Sequence, residues 1–320
     1  MEKRMAMTDV TRELETLETE VWPDHQRLPD WSGPGDARTE GMPTVARELP
    51  RVWASDPRPL RCPRCHGALC PTDFGFDCKE NRCGACLPLR DGVLIVDDAP
   101  IDDNKIAANF YDNGRWQKVR LWETLFWFLN GGEKRAREVV LRRLPKSSDV
   151  RLLDVAIGDG VYTSWLPKDW AIVGVDISAG QLADCQRRNP GRDLRLILGS
   201  AEDLPFEDNC FDAVLSNGGF NHFNDPEKAL NEMARVAKPG ALVVIADERP
   251  DLLDLGHRLG FPGLDRWIAS KVMRMGDDFA GVVDRHRNID IAGIGRRVLR
   301  DSRYEVIWRG GGYLMFGAAP

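Results

Sequence analysis

Two groups of residues in this chain have types and spacings that could do chemistry. The first lies in VRLLDVAIGDGVYTSWL, residues 150–166. An apolar strand there ends in a carboxylate, Asp154, and enters a turn bearing Gly158 and Gly160 that reads as running straight on into a helix. Glycines let a backbone pass close to a ligand, and a helix N-terminus turns free N–H groups toward it. The apolar run AIVGVD at 171–176 ends in a second acid, Asp176, placed as a strand-end carboxylate that accepts hydrogen bonds from ribose hydroxyls. The turn reads Asp154-x-Ala156-x-Gly158-x-Gly160 in place of G-x-G-x-x-G, which argues against a dinucleotide.

The second group is sulfur. Six of the eight cysteines fall between Cys62 and Cys86, in RCPRCHGALCPTDFGFDCKENRCGACLPLRDGVLIVD. Cys62 and Cys65 have the spacing of a knuckle that gives two thiolates to one tetrahedral zinc, and Cys83 and Cys86 form a second C-x-x-C pair at zinc-ribbon distance. So short a segment buries too little core to fold without a staple. A site of four sulfurs is closed, so the metal is expected to be structural. His66, inside the first knuckle, is expected to cap it or face solvent. Cys185 and Cys210 stand apart and read as small apolar packing residues.

With these and four further segments, the chain resembles the class I S-adenosylmethionine (SAM) methyltransferases related to the ubiquinone and menaquinone biosynthesis enzymes. The segments are GVDIS (174–178), SAEDLPFEDNCFDAVLSN (200–217), HFNDPEKALNEMARVAKPGALVVIADE (222–248) and GGYLMFGAAP (311–320). The resemblance implies that Asp154 and the backbone of Ala156 to Gly160 hold the methionine end of SAM. Asp176 would hold the ribose and Ile177 would pack on adenine. The backbone of Ala201 would meet the ring edge, with Glu202 beside it in the site, and Ser200, where many members have an aspartate, would supply a weaker hydrogen bond. Asn217 and Gly218 would face the gap between cofactor and acceptor. Ala156 stands where the family usually has its first glycine. Alanine fits a close turn when its φ is negative, so altered and not lost binding is expected.

The cysteine segment is similar to the zinc module of bacterial rRNA guanine methyltransferases and of a eukaryotic methyltransferase-activating protein. That similarity aligns Cys83-Gly84, Pro88 and Asp91-Gly92, making Cys62, Cys65, Cys78 and Cys83 the ligands. The bare spacing offers Cys86 as the alternative fourth ligand.

The elements that must position these residues follow from apolar patterning. Strands are expected at 151–155, 171–176, 194–198, 211–216 and 241–247, with an antiparallel pair near 303–308 and 311–317. The expected fold class is therefore α/β: a Rossmann-like, mostly parallel seven-stranded sheet with a final antiparallel hairpin, a small N-terminal zinc-ribbon-like domain and a helical lid insertion. Residues 1–57 read as a short helix and an extended arm, 58–98 as the zinc module, and 104–320 as the methyltransferase domain with the lid at 248–300. By the same resemblance, Phe110-Tyr111-Asp112 belongs to a helix that folds over SAM, making Tyr111 a candidate contact for sulfonium or substrate. His222, shortly after the fourth strand, is the first candidate general base for a phenol or alcohol acceptor, with His257 and His286 behind it.

The net charge of −6 argues against a broad nucleic-acid footprint. Lys134, Arg135, Arg137, Arg142 and Arg143 share a predicted helix, but Glu133 and Glu138 interleave, so a solvated face is expected. The charged N-terminus and the lack of any long apolar run point to a cytoplasmic protein with no membrane span. The leading reading is methyl transfer to a small apolar or aromatic metabolite. The rivals are an rRNA or tRNA methyltransferase, favoured by the zinc module, and a non-catalytic partner protein in which Ala156 and Ser200 mark decay.

Overall fold

The computed structural model describes residues 60–80, 82–97, 99–100, 102–112, 127–128, 130–249 and 289–320. The expected N-terminal arm, His257, His286 and most of the expected lid lie outside the described residues.

The cysteine segment forms three short antiparallel strands, β1 (Leu69–Thr72), β2 (Gly75–Cys78) and β3 (Cys86–Arg90), followed by β4 (Val93–Ile95). Helices α1 (Asp102–Asp112) and α2 (Glu133–Leu141) lead into the alternating region. There β5 (Arg151–Val155), β6 (Ala171–Asp176), α3 (Ala179–Arg188), β7 (Leu194–Leu198), β8 (Phe211–Asn217), α4 (Pro226–Val236) and β9 (Ala237–Glu248) follow in order. The chain closes with α5 (Ile291–Val298), β10 (Arg300–Ile307) and β11 (Gly312–Ala318). The expected strand positions agree closely with these. β9 starts earlier than expected, across a register shift between Phe211 and Ala213 in its pairing with β8.

The sheet is larger than the expected seven strands. Its order is β1-β2-β3-β4-β7-β6-β5-β8-β9-β11-β10, eleven strands in all. Seven of these are the expected ones, and the rest enter because β4 pairs in parallel with β7, Leu94 opposite Ile197. An edge strand carries unpaired N–H and C=O groups, and here the cysteine segment covers them. The join extends past the strand ends, where the N–H groups of Val96 and Asp97 both donate to Leu198 O at 2.9 and 3.1 Å. Upstream, Leu60 bridges Phe206, and Arg61 N donates to Pro205 O at 2.9 Å.

Packing ties the two parts further. Phe76, Leu87 and Leu94 are buried in one core cluster with Val155, Val175, Ile197, Leu204 and Phe206. Each such side chain is worth about 1.5–3 kcal/mol. The opposite face of the sheet buries Val140, Leu152, Tyr162, Trp170, Ile172 and Leu182.

One local expectation fails. The glycine turn does not run into an α-helix but into a single 3-10 turn, Thr163–Trp165. Only ten residues separate Gly160 from Ala171, and Pro167 stands among them. That length allows a turn and a return loop to β6, and no more.

Candidate functional site

Ligands of open parallel sheets bind beyond the carboxyl ends of the strands, where the order reverses. In this sheet that place is above β5, between β6 and β8. Asp154 sits on β5 opposite Gly174, and Asp176 ends β6. Both are buried, at 3% and 8% exposure, and neither has a salt-bridge partner among the described residues. Burial, with the charge of Asp176 added, pushes the Asp154 carboxyl up to about 8. Asp176 is raised to about 6 by burial, less far because the N–H groups of Ser178 and Gly158 donate to it at 2.9 and 2.8 Å. Buried acids are normally paired or kept neutral, and a cation brought to this place would pair with these two.

The turn between them differs from expectation at two positions. Ala156 has φ +58°, not negative, and so occupies the left-handed region. Gly160 does not leave room for a ligand: a Cβ there would lie 2.3 Å from Cys185 Sγ and 2.7 Å from Asn189 Nδ2, so this glycine lets α3 pack against the turn. Gly158, at φ +56°, meets only Gln181 Oε1 at 3.5 Å and stays open.

The remaining candidates divide. Ile177 is half-buried after β6, and Ala201 is buried after β7. Ser200 Oγ accepts from Glu202 N at 3.1 Å, closing the loop on itself. The Glu202 carboxylate is engaged by Asp225 N at 3.1 Å and by the amides of Asn104 and Asn224, each at 3.5 Å. It therefore ties α1 and the start of α4 to the loop. Asn217 ends β8, and its Oδ1, like the Oγ of its neighbour Ser216, is buried without a hydrogen-bond partner among the described residues. His222 is half-buried at the end of the 3-10 turn Phe220–His222. Tyr111 is half-buried and packs edge-on to Phe110, ring centroids 5.2 Å apart. Asp112 instead caps α3: its Oδ1 accepts from Ser178 Oγ at 2.5 Å and Gly180 N at 3.0 Å.

Sequence reasoning missed a third strand-end acid. Asp247, near the end of β9, is 1% exposed, and burial together with the adjacent Glu248 raises its carboxyl well above the usual range. It accepts from Asn221 N at 3.0 Å and Glu248 N at 2.8 Å, while Tyr313 Oη donates to Asn221 Oδ1 at 3.2 Å. The turn carrying His222 is thereby fastened to β9 and β11. The signal was the one that marked Asp154 and Asp176, a carboxylate closing an apolar strand.

In the cysteine segment, the sulfurs of Cys62, Cys65, Cys78 and Cys83 all lie within 4.8 Å of one another. Cys62 and Cys83 are 3.5 Å apart, and Cys65 and Cys78 3.4 Å. A tetrahedron with metal–sulfur bonds of about 2.3 Å has edges of about 3.8 Å, close to this arrangement. Burial opposes ionisation of Cys62, yet the N–H groups of Cys65 and Arg64 bring it down to about 7. Cys86 is not part of the cluster. It lies exposed on β3 opposite Asp77, whose carboxylate raises its thiol.

A cavity of about 310 Å³ separates the knuckle from the loop after β7, lined among others by Arg64, Cys86, Asp97, Ser200 and Asp203. It lies away from Asp154. No helix among the described residues is long and apolar enough to cross a membrane.

Comparison with known proteins bears on the same region. Residues 153–245 match a family model described as a methyltransferase domain. A demethylmenaquinone methyltransferase of Renibacterium salmoninarum is 40% identical over 118 residues, 37% of this chain and 49% of that protein. One from Corynebacterium efficiens is 35% identical over 153 residues, 48% of this chain and 62% of that protein. The chain thus spans about half to three-fifths of the curated relatives it matches. Among solved structures, a chain from the complex of the Haloferax volcanii Trm112 methyltransferase activator with a methyltransferase is 17% identical, with 67% of this chain and 97% of that one covered and a TM-score of 0.46. A SAM-dependent methyltransferase from Aquifex aeolicus is also 17% identical, with 57% and 89% covered and a TM-score of 0.40. In residues 153–245 the chain is thus similar to methyltransferase domains.

Proposed function

We propose that this protein is a SAM-dependent methyltransferase acting on a small, apolar or aromatic metabolite of quinone type. The observation that carries the reading is the buried acid pair Asp154 and Asp176 at the switch point of the sheet, without a salt-bridge partner among the described residues, beside oxygens of Ser216 and Asn217 that find no hydrogen-bond partner among them. SAM is a cation at both its sulfonium and its ammonium, so it suits such a site. The demethylmenaquinone methyltransferases among the relatives suggest the acceptor class.

When bound, SAM supplies an electrophilic methyl group, and little acid or base chemistry is asked of the protein. Asp154 and Asn217 hold the amino-acid end, and Asp176 accepts from the ribose hydroxyls through lone pairs that Gly158 and Ser178 leave free. Ile177 and Ala201 pack on the adenine. Alignment and exclusion of water then account for most of the acceleration in an in-line displacement. His222 takes the proton of a phenolic acceptor, on a turn held by Asn221 and Asp247. Cys62, Cys65, Cys78 and Cys83 hold a structural zinc.

Calorimetry with S-adenosylhomocysteine tests the cofactor, and transfer of labelled methyl from SAM to a demethylnaphthoquinol tests the acceptor. Absence of S-adenosylhomocysteine binding by the full chain would end this reading. The base assignment fails separately if His222→Ala keeps full turnover across pH 6 to 9.

A further inference from the structure

Beside the turn after β5 the structure buries a cation that the sequence reading had placed in water. Arg137 on α2 is 3% exposed. Its guanidinium carbon lies 4.9 Å from the ring centroid of Trp127 and 4.7 Å from that of Tyr162, and its Nε donates to Glu133 Oε1 at 2.9 Å. Trp127 is in turn held edge-on by Trp308, at 5.5 Å between ring centroids, and Trp308 Nε1 donates to Ala136 O at 3.0 Å. The cation is thus fixed between two aromatic faces, with one of them buttressed from the β10–β11 turn.

Tyr162 follows the glycine turn and is 4% exposed, and its hydroxyl faces the Arg137 side chain, a donor only, so its hydrogen finds no acceptor among the described residues. A buried O–H hydrogen without an acceptor is unfavourable, and a bound ligand that accepts it removes that penalty. Burial raises its pKa further than Arg137 lowers it, and Glu248 and Asp154 raise it too, so at neutral pH the group keeps its proton and can donate. A neutral O–H donor backed by a buried cation is suited to an acceptor that carries negative charge.

We propose that Tyr162 and Arg137 form an oxyanion-binding subsite beside the turn after β5, the hydroxyl donating the hydrogen bond and the guanidinium supplying the charge. This rests on the SAM reading of the acid pair. The oxyanion has two sources, the carboxylate at the amino-acid end of SAM or the ionised oxygen of a phenolic acceptor. With Asp154 across the turn for the ammonium, the subsite completes a pair of opposite charges matched to an α-amino acid.

The test compares the full-length wild type with Tyr162→Phe, which removes one oxygen. Calorimetry is run with S-adenosylhomocysteine and with 5′-methylthioadenosine, which lacks the amino-acid end. The absorbance of 4-nitrophenolate is followed with and without S-adenosylhomocysteine. If the oxyanion is the cofactor's carboxylate, Tyr162→Phe weakens S-adenosylhomocysteine by about tenfold, about 1.4 kcal/mol, and leaves methylthioadenosine unchanged. If it is the acceptor's oxygen, both nucleosides bind as before and the nitrophenolate shift is lost. The proposal is overturned if Tyr162→Phe changes none of these, or weakens both nucleosides equally. A wild type that fails to bind S-adenosylhomocysteine ends the SAM reading, while the nitrophenolate arm without nucleoside still decides the subsite.

Discussion

The backbone N–H of Gly158 donates to Asp176 Oδ2 at 2.8 Å, so the turn after β5 is closed onto the acid that ends β6. Asp154 has no such donor to offset its burial, and this difference accords with its carboxyl standing at about 8 against about 6 for Asp176. Below pH 8 the free protein therefore holds a proton on Asp154 that a cationic ligand must displace. Affinity for S-adenosylhomocysteine should rise as pH increases from 6 to 8, with proton release visible as a dependence of binding enthalpy on buffer. Asp154→Asn should remove most of that slope. The sign for stability is opposite. Both folded-state values exceed the ordinary 3.8, so between about pH 4 and 8 the folded state binds more protons than the unfolded one and loses stability as pH rises. A melting temperature that climbs across that window in these two acids' favour, or a flat affinity profile, would contradict the assignment.

Much of this was legible from patterning. Strands buried on both faces read as apolar runs, which is why β5, β6 and β7 appear where they were expected. What was hidden are pairings between distant segments. Nothing in Val93–Ile95 announces that it will add to the edge of β7, and nothing in the alternating charges of 133–143 reveals that Arg137 is buried while Lys134 and Arg135 are exposed. Gly160 was legible as a glycine but not as a place for Cys185, because spacing records the absence of a Cβ and not its reason.

The cysteine cluster is held to the alternating region by the double acceptor at Leu198 O and by Leu60 and Arg61 on the far side of the 200–206 loop. One zinc per chain is expected by metal analysis. Cys78→Ser and Cys83→Ser should lower that content, whereas Cys86→Ser should leave it at the wild-type value. Because the two parts share one core cluster, chelation should reduce the melting temperature of the whole protein by about 10 °C instead of releasing a separate transition. Two resolved calorimetric transitions, or full zinc in Cys78→Ser, would show the arrangement to be otherwise.

Asp112 was singled out as part of a lid triplet, yet its carboxylate serves the N-terminus of α3 alongside the capping hydroxyl of Ser178. Asp112→Ala should cost about 1–2 kcal/mol in denaturant unfolding, the range of a lost helix cap. Asp112→Asn keeps an acceptor oxygen and should recover part of it. Equal stability of wild type and Asp112→Ala would mean that the cap contributes nothing and that the residue is held for another purpose.

Ala156 and Gly219 form a pair in which one methyl group occupies the space of two. Ala156 is left-handed at φ +58°, a conformation costing an L-residue about 1–2 kcal/mol, and a Cβ on Gly219 would fall 2.3 Å from its own Cβ. Gly219 itself has φ −123°, so an alanine there is resisted by this contact and not by its backbone. Gly219→Ala should destabilise the protein by about 1–3 kcal/mol, the range for overpacking. Ala156→Gly removes both the clash and the left-handed penalty, so in the double variant most of that loss should return. A coupling energy near zero in this cycle would show that the turn after β5 and the turn carrying His222 do not pack through these two residues, whereas a value above about 1 kcal/mol fixes them as one unit.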